Sequence, residues 1–302
     1  MHKSVMLEEC ITQLNLKKDS VVVDCTLGYG GHSSEILKHI PEGYLYAFDQ
    51  DREAIQSSDE RLKKIGNNYK IINSNFINIQ KKLSELNIKE VDSILYDLGV
   101  SSPQLDEKER GFSFHQDARL DMRMNQSQKL DAYQVVNSYS YQQLVDIFYR
   151  YGEEKYASSI AKGVIENRPI TTTLELTEVI KNHVPFKYRN EHHPARKVFQ
   201  AIRIEVNDEL NVFEKSLRSA LELIKVNGRI AVITFHSLED KICKRIFKEV
   251  SSVDKNLQNL PIIPIEYQPR FKIVCSLEPT KKELEENKRA RSAKLRVIER
   301  IR

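Results

Sequence analysis

A glycine-rich turn between a β-branched run and a helical segment constrains the fold of this chain more than any other feature. Residues 21–24 (VVVD) predict a short buried strand, and the loop at residues 28–31 (GYGG) leads from it into a helix. Glycine lets a backbone approach a ligand that a Cβ would exclude. Asp49 ends the next predicted strand, where its carboxylate can accept hydrogen bonds from both hydroxyls of a ribose. The pattern predicts a nucleoside-cofactor loop, although the loop by itself also fits a structural turn between strand and helix.

The residue at position 33 separates two classes of cofactor. The dinucleotide fingerprint Gly-x-Gly-x-x-Gly requires glycine there, and this chain has Ser33. Asp24 closes the preceding strand, and a carboxylate at that point suits a cofactor that carries an amine and no pyrophosphate. The loop therefore favours S-adenosylmethionine over a nicotinamide dinucleotide.

Strands and helices alternate along the first hundred residues. Such alternation predicts a doubly wound α/β fold with a parallel sheet covered by helices on both faces. Residues 101–210 show helical periodicity and no convincing pair of strands. We therefore predict a Rossmann-like sheet domain formed by residues 1–100 and 211–302, interrupted by a helical insertion at 101–210. The predicted strands cover residues 21–24, 44–49, 69–72, 91–96, 229–235, 270–275 and 295–301.

Three local signals predict boundaries within this plan. The apolar periodicity predicts a helix over residues 141–156. Thr173 is predicted to cap the helix that follows it. Asn227 and Gly228 predict a turn between a helix and the strand at 229–235.

Positive charge is concentrated at the C-terminal end of the sequence, although the net charge is only +4. Residues 281–302 contain nine Lys or Arg and four Glu. Apolar residues at 293, 295 and 297 alternate with Ser292, Lys294 and Arg296, which is typical of a strand with one buried face. Cations on an ordered strand suit contact with a phosphate backbone. A solvated charged tail is the alternative.

The composition argues against a membrane-spanning helix and a disulfide framework. No run of 18 apolar residues occurs, and the first residues lack the apolar segment of a signal peptide. Cys10, Cys25, Cys243 and Cys275 show no Cys-x-x-Cys pair, which favours reduced, buried thiols over disulfides or a zinc site. We therefore expect a cytoplasmic protein with no membrane contact and no bound metal.

Two longer motifs carry a specific resemblance. The first runs through residues 97–106 (DLGVSSPQLD) and continues at 110–114 (RGFSF) and 120–124 (LDMRM), and the second covers 235–240 (FHSLED). Together with Gly30-Gly31-His32, they resemble the RsmH (MraW) family, ribosomal RNA small-subunit methyltransferase H. Further similar segments extend the resemblance over essentially the whole chain: residues 193–195, 199–203, 206–210 and 287–296. Arg119 and Lys288 depart from the family pattern, because proline usually occupies both positions.

The resemblance implies a methyltransferase domain with an inserted substrate-recognition domain. It implies S-adenosylmethionine-dependent methylation at N4 of a decoding-centre cytidine of 16S rRNA, cytidine 1402. The partner would be 16S rRNA, either naked or within the small ribosomal subunit, and a dimer is one of the oligomeric states left open. The implied cofactor contacts are Gly30, Gly31, His32, Asp49, Phe76, Asp97 and Gln104. Phe76 would stack on the adenine, although an aromatic residue at that point also fits a core position.

The chemistry of an exocyclic amine sets requirements on the catalytic residues. A cytosine N4 amine is a poor nucleophile, and hydrogen-bond acceptors that orient its protons would help it react. Asp97, Ser101 and Ser102 supply oxygen atoms at the end of the fourth strand, although Asp97 could instead bind the amine of the cofactor. His236 could contact the base or orient its own loop. Methylation at C5 would require a cysteine nucleophile, and residues 97–104 and 234–240 contain none.

Six basic residues are candidates for RNA contact. Arg110 and Arg123 lie in the loop after the fourth strand, where they could instead pair with Asp117 and Asp121. The other four belong to the basic C-terminal stretch: Arg289, Arg291, Lys294 and Arg296.

Three other classes of protein remain as alternatives. A nicotinamide oxidoreductase would need glycine in place of Ser33. A non-catalytic RNA-binding protein on the same fold would not need the loop glycines. A methyltransferase that acts on DNA or protein is the closest alternative.

Overall fold

The computed structural model describes residues 4–191, 193–253, 257 and 263–302. The chain divides into two compact units. The first combines Met1–Gly99 with Leu210–Arg302, and the second is Val100–Glu209.

A seven-stranded sheet forms the centre of the first unit. Its strands, in chain order, are β1 (Val21–Asp24), β2 (Tyr44–Asp49), β3 (Tyr69–Asn73), β4 (Val91–Asp97), β5 (Ile224–Thr234), β6 (Phe271–Leu277) and β7 (Lys294–Arg300). The spatial order is β3-β2-β1-β4-β5-β7-β6. The strands β1 to β5 are parallel to one another, whereas β7 runs antiparallel to both β5 and β6. This arrangement confirms the predicted α/β class.

Helices account for most of the remaining regular structure. The α-helices of the described residues are α1 (Leu7–Leu14), α2 (Gly31–His39), α3 (Arg52–Leu62), α4 (Ile79–Glu85), α5 (Ser102–Asp106), α6 (Ala132–Ser138), α7 (Tyr141–Arg150), α8 (Ala157–Glu166), α9 (Thr173–Asn182), α10 (Phe186–Glu191), α11 (Ala195–Asn207), α12 (Glu209–Leu223), α13 (Ser237–Ser251) and α14 (Lys281–Glu286). Short 3-10 turns lie at Phe76–Asn78, Lys108–Arg110, Ile265–Tyr267 and Lys288–Ser292.

The central strands are mainly apolar in their middle parts because both faces of the sheet are covered. Successive side chains of a strand point to opposite faces. Val23 and Ile94 accordingly belong to the hydrophobic cluster on one face, whereas Val22 and Leu95 belong to the cluster on the other. The polar carboxyl ends of β1, β2 and β4 carry Asp24, Asp49 and Asp97. The carboxyl ends of parallel strands are where α/β proteins bind their ligands.

The alternation predicted for the basic C-terminal stretch is present in β7 and the residue before it. Ala293, Leu295 and Val297 are buried, with relative exposures of 4%, 0% and 0%. The side chains between them are partly exposed. The stretch is therefore an ordered strand between β5 and β6.

The second unit is built from helices around its own apolar core. The capping threonine of α9 is Thr172, whose hydroxyl accepts a hydrogen bond from Glu175 N–H, so the prediction of Thr173 was one residue late. The predicted helix over 141–156 ends at Arg150, six residues early. Glu153, three residues later, has φ 48°, a left-handed conformation that does not continue a helix.

The predicted turn at Asn227 and Gly228 falls inside β5. Asn227 has φ 68°, and the register of β5 against β4 shifts between Val91 and Ser93. The asparagine–glycine pair therefore forms an irregularity within the strand. No helix of the described residues is both long and apolar enough to cross a membrane.

Candidate active site

The glycine-rich loop between β1 and α2 is fixed to the end of β2. Gly28 N–H donates to Asp49 Oδ2 at 2.8 Å, and Asp51 N–H donates to Asp49 Oδ1 at 2.9 Å. Gly30 has φ 74°, a conformation that glycine adopts without strain. A carboxylate offers about four lone-pair sites, so the two backbone donors leave Asp49 with capacity to accept more hydrogen bonds. Burial raises the pKa of Asp49 to about 6, and the two backbone donors oppose this rise.

Ser33 makes a side-chain hydrogen bond that glycine could not make. Its hydroxyl donates to Asp24 Oδ2 at 2.6 Å, while Thr26 N–H donates to Asp24 Oδ1 at 3.0 Å. Burial raises the pKa of Asp24, and the hydrogen bond from Ser33 opposes the shift. The serine at the third glycine position therefore ties the start of α2 to the end of β1.

Asp97, at the end of β4, carries a carboxylate that is only partly satisfied. Its backbone N–H donates to Thr26 Oγ1 at 2.7 Å, and its Oδ2 lies 3.4 Å from His32 Nδ1. The other oxygen, Oδ1, is buried and has no hydrogen-bond partner among the described residues. Burial raises the pKa of Asp97 to about 6, with smaller contributions from the charges of Asp24 and Glu239, and His32 opposes the rise. A buried acceptor without a partner is costly, so this atom is suited to receive a ligand donor.

His32 connects Asp97 to the N-terminal segment. The imidazole is buried, and its Nε2 lies 3.1 Å from the carbonyl oxygen of Val5. A carbonyl can only accept, so Nε2 carries a proton. The other ring nitrogen, Nδ1, lies 3.4 Å from Asp97 Oδ2, and the charge of His32 lowers the pKa of Asp97. Both ring nitrogens are occupied by protein groups, which leaves the backbone of His32 for a ligand.

The N-terminal segment, residues 4–6, lies against the glycine-rich loop. A Cβ added at Gly31 would collide with the hydroxyl of Ser4, so a larger residue here would require the Ser4 side chain to turn away. Met6 is fully buried, has φ 51°, and its N–H donates to Glu283 Oε1 at 2.6 Å. A left-handed methionine is strained and persists only where its surroundings hold it. Glu283 therefore fixes the segment that fixes His32.

His236 lies at the start of α13 and pairs with a buried glutamate. Its Nε2 is 3.2 Å from Glu239 Oε1, and the two side chains are 10% and 3% exposed. Glu239 Oε2 accepts hydrogen bonds from the N–H groups of Phe235, at 2.7 Å, and His236, at 3.3 Å. The glutamate thus orients the loop between β5 and α13. Its charge also reaches Asp97, whose pKa it raises.

Phe76 is half-buried beside the same sheet edge. Its ring packs edge-on against Tyr96, with the centroids 5.7 Å apart, and its carbonyl accepts a hydrogen bond from Ser216 Oγ at 2.9 Å. The backbone of Phe76 is therefore anchored. Its ring is partly accessible, which suits both the predicted adenine contact and a core position.

Three of the predicted catalytic and cofactor-binding residues belong to the second unit. Ser101 N–H donates to Gln104 Oε1 at 3.0 Å, and Gln104 is buried. The hydroxyl of Ser101 is buried without a hydrogen-bond partner among the described residues. The side chain of Ser102 lies outside the described part of the chain, so its predicted role stays a prediction.

Arg110 and Arg123 have internal partners within the second unit. Arg110 is buried, donates to the carbonyl of Arg123 at 3.0 Å, and lies 5.9 Å from the centre of the Phe112 ring. Arg123 makes two hydrogen bonds to Asp121, at 2.8 and 2.7 Å. Arg119, which departs from the family pattern, pairs with Asp131 at 2.7 Å. Arg123 thus pairs with Asp121, one of the two acids that the sequence offered as alternative partners, and RNA contact by Arg110 and Arg123 stays a prediction.

The basic residues of the C-terminal stretch differ from one another. Arg296 forms a two-point ion pair with Asp240, at 2.6 and 3.0 Å, and Lys294 lies 3.3 Å from Glu278. Arg289 and Arg291 are exposed on the 3-10 turn whose Ala290 is buried. Phosphate contact stays a proposal for all four cations, and it is their exposure that favours Arg289 and Arg291.

Sequence reasoning missed several residues that shape this site. Val5 contacts His32 through its backbone carbonyl. Glu283 accepts a hydrogen bond from the N–H of Met6, which is far away in the sequence, and Glu239 accepts one from the N–H of Phe235, four residues before it. A backbone carbonyl leaves no signal in a sequence. The buried Asp24 could have been paired with Ser33, because both positions stood out in the loop.

The fold and the site define a class of protein. A doubly wound sheet with its antiparallel seventh strand between β5 and β6, a glycine loop after β1 and acidic ends on β1, β2 and β4 are typical of a nucleoside-cofactor-binding methyltransferase. The model of the MraW methylase family matches residues 1–301. The chain belongs to the MraW methylase family, as the sequence motifs predicted, and its cofactor is S-adenosylmethionine.

Solved structures with a similar course of the chain include two bacterial examples. A candidate rRNA methylase from Clostridium thermocellum is 12% identical, with a TM-score of 0.48 and coverage of 100% of this chain and 99% of that one. A methyltransferase homologue from Streptococcus mutans, in complex with S-adenosylhomocysteine, is 14% identical, with a TM-score of 0.45 and coverage of 99% of both chains. The family assignment rests on the family match over residues 1–301.

The residues of the first unit fit the cofactor. S-adenosylmethionine carries an ammonium group, a sulfonium and a ribose with two hydroxyls. Asp49 has acceptor capacity for hydroxyls, and Asp97 has a buried oxygen without a partner that suits a cationic donor. Two carboxylates with pKa values near 6 are largely ionised at neutral pH, which favours a cofactor with two positive centres.

Proposed function

We propose that this chain methylates small-subunit ribosomal RNA, at N4 of decoding-centre cytidine 1402. The family supports methyl transfer, and the motif around Asp97 supports the substrate because it resembles that of the rRNA methyltransferases. The observation that carries the proposal is the buried Oδ1 atom of Asp97 at the end of β4, which has no hydrogen-bond partner in the part of the chain that the structure describes. Such an acceptor is what a reacting amine or a bound ammonium requires.

S-adenosylmethionine supplies an electrophilic methyl group on its sulfonium. The protein contributes position and charge. Asp49 accepts hydrogen bonds from the ribose hydroxyls, while Gly30 and Gly31 let the backbone approach the cofactor. Asp97 binds either the ammonium of the cofactor or the protons of the target amine, and His32 lies 3.4 Å from its Oδ2 atom. His236, oriented by Glu239, is the second proposed contact of the base.

The thiols of the first unit favour an amine target over a ring carbon. Methylation at C5 of a pyrimidine needs a thiolate nucleophile. Cys10, Cys25 and Cys243 are buried, and burial raises the pKa of each thiol far above neutrality. The segments at the ends of β4 and β5, residues 97–104 and 234–240, contain no cysteine.

RNA binding is proposed for two surfaces. Arg289 and Arg291 are exposed on the ordered turn before β7, where fixed cations can meet phosphates. The helical unit at residues 100–209 is proposed to recognise the substrate. An unpaired target base is accessible in an RNA loop at a low energetic cost.

The test is the identity of the methylated nucleoside. The purified chain is incubated with labelled S-adenosylmethionine and either 16S rRNA or small subunits from a strain that lacks the enzyme, and the digested RNA is resolved by chromatography and mass spectrometry. We expect N4-methylcytidine from wild type and strongly reduced product from Asp97→Asn. Asp92→Asn is the matched control, because Asp92 lies at the opposite end of the same strand and pairs with Lys225. Appearance of 5-methylcytidine, or equal product from both variants, would contradict the proposal.

A further inference from the structure

Four neighbouring rings of the second unit form a group that we call the ring cluster: Phe114, His115, His193 and Phe199. The rings of Phe114 and His193 are stacked, with centroids 4.4 Å apart and planes inclined by 26°. His115 lies 4.4 Å from Phe114 and 5.3 Å from His193. Phe199 meets Phe114 edge-on at 5.6 Å.

The ring cluster is anchored on one side and accessible on the other. Phe199 belongs to α11, is only 3% exposed and is part of the apolar core of its unit. Phe114 and His193 are half-buried, and His115 is exposed. Rings held by a core and presented to solvent form a preorganised stacking surface, because little side-chain freedom is lost when a flat ligand binds.

Arg196 lies beside the ring cluster. Its backbone N–H donates to the carbonyl oxygen of His193 at 3.2 Å, and its side chain is exposed. Burial lowers the pKa of His193, and the charges of His115, Lys181 and Arg196 lower it further. Lys181 makes an exposed ion pair with Glu178 at 2.6 Å. The buried Nδ1 of His193 has no hydrogen-bond partner among the residues that the structure describes.

We propose that the ring cluster binds an unpaired base of the RNA substrate by stacking, with Arg196 and Lys181 directed to the adjoining phosphates. Flat aromatic rings flanked by cations are what proteins use to bind single-stranded nucleic acid. Every base has a π-face, so the site is tolerant of sequence and contributes affinity rather than choice of target. The inference rests on the proposed function only for the identity of the RNA.

The test measures binding of a single-stranded 12-nucleotide RNA that carries one 2-aminopurine, whose fluorescence falls when it stacks. His115→Ala removes the accessible ring, whereas His115→Phe keeps a ring and removes the imidazole nitrogens. Loss of one stacked base weakens RNA binding roughly 5- to 100-fold. We expect that loss for His115→Ala, with recovery of the fluorescence, and near-wild-type binding for His115→Phe. Tyr149→Ala is the control, since Tyr149 is 67% exposed on α7 of the same unit.

The outcomes separate this inference from the proposed function. Thermal unfolding confirms that each variant is folded, and S-adenosylmethionine affinity should not change. Unaltered RNA affinity in His115→Ala, or an equal loss in Tyr149→Ala, overturns the stacking site. If the nucleoside analysis shows a product other than N4-methylcytidine while the affinity ratios hold, the proposed function fails and the stacking site stands. Arg196→Ala should reduce the salt dependence of binding by about one phosphate equivalent, and an unchanged slope contradicts its assignment.

Discussion

Asp97→Asn should make the cofactor-free protein more stable. Burial raises the pKa of Asp97 from 3.8 to about 6, so the folded state holds the proton more tightly than the unfolded chain does. A raised carboxyl pKa gives a contribution that is present at low pH and is lost as the pH rises through the interval between the two values. This rise in the pKa corresponds to about 3 kcal/mol, because a change of one in pKa corresponds to about 1.36 kcal/mol. Asparagine cannot ionise and avoids this penalty.

The predicted difference depends on pH in a defined way. Asp97→Asn should exceed wild type in free energy of unfolding by up to about 3 kcal/mol at pH 8, by about half of that at pH 5, and by almost nothing below pH 4. Chemical unfolding without cofactor at these values measures the difference. Asp92→Asn should show no such gain, because Asp92 is paired with Lys225 and accepts a hydrogen bond from Val21 N–H. A variant that is no more stable than wild type at pH 8 would show that the Asp97 carboxylate is not strained.

The same substitution separates the two roles of Asp97 in activity. If the carboxylate binds the ammonium of S-adenosylmethionine, affinity falls by roughly 10- to 100-fold, as expected for a hydrogen bond to a charged group, and turnover recovers at saturating cofactor. If it orients the target amine, affinity holds and single-turnover rate falls on the order of a hundredfold. In wild type, cofactor affinity should decrease as the pH falls below about 6, where Asp97 becomes protonated. Calorimetry and single-turnover kinetics on one preparation measure both, and a variant normal in both refutes the site.

Three further predictions test the remaining parts of the site. Asp49→Ala should lower cofactor affinity by about 1.5–3 kcal/mol for each hydrogen bond lost to the charged group, and calorimetry on a folded variant showing no change would contradict the ribose contact. Replacing Arg289 and Arg291 together by alanine should flatten the salt dependence of RNA binding by about two phosphate equivalents, with unchanged cofactor affinity; an unaltered slope would leave the stretch a solvated charged segment. Glu283→Ala should increase hydrogen exchange at residues 4–6 and weaken cofactor binding, whereas Glu285→Ala, exposed on the same helix, should do neither. Equal effects of both variants would show that the hydrogen bond from Met6 to Glu283 does not hold the N-terminal segment in place.

Periodicity and loop chemistry predicted the sheet domain because its signals are local. The strand at Tyr44–Asp49 was placed to the residue, and the buried alternation of β7 followed from its apolar spacing. Helix ends were less accurate where two neighbouring residues could act as caps, as with Thr172 and Thr173. The helical character of the second unit was predicted, but the bounds of α11 were not, because no strand signals frame its apolar stripe.

Long-range partners explain why the site was only partly predictable. Arg296 looked like a phosphate contact, but Asp240, 56 residues away in the sequence, pairs with it at two points. The sequence allowed Arg123 either an RNA contact or a partner in its own loop, and the fold gives it Asp121. Charge in a sequence thus shows where cations lie along the chain. Whether a cation remains available depends on which acid the fold brings beside it.

The carboxylates at the strand ends show how this fold prepares a site at the expense of stability. Asp24 is stabilised by Ser33 and Thr26, and its raised pKa reflects burial that these hydrogen bonds offset only in part. Among the described residues, Asp97 has no such partner at Oδ1, although an ordinary buried acceptor would be paired. The difference in partners between two neighbouring carboxylates, rather than burial alone, indicates which of them is held ready for a ligand. By this reasoning we propose that Asp24 shapes the loop and that Asp97 meets the cofactor or its target.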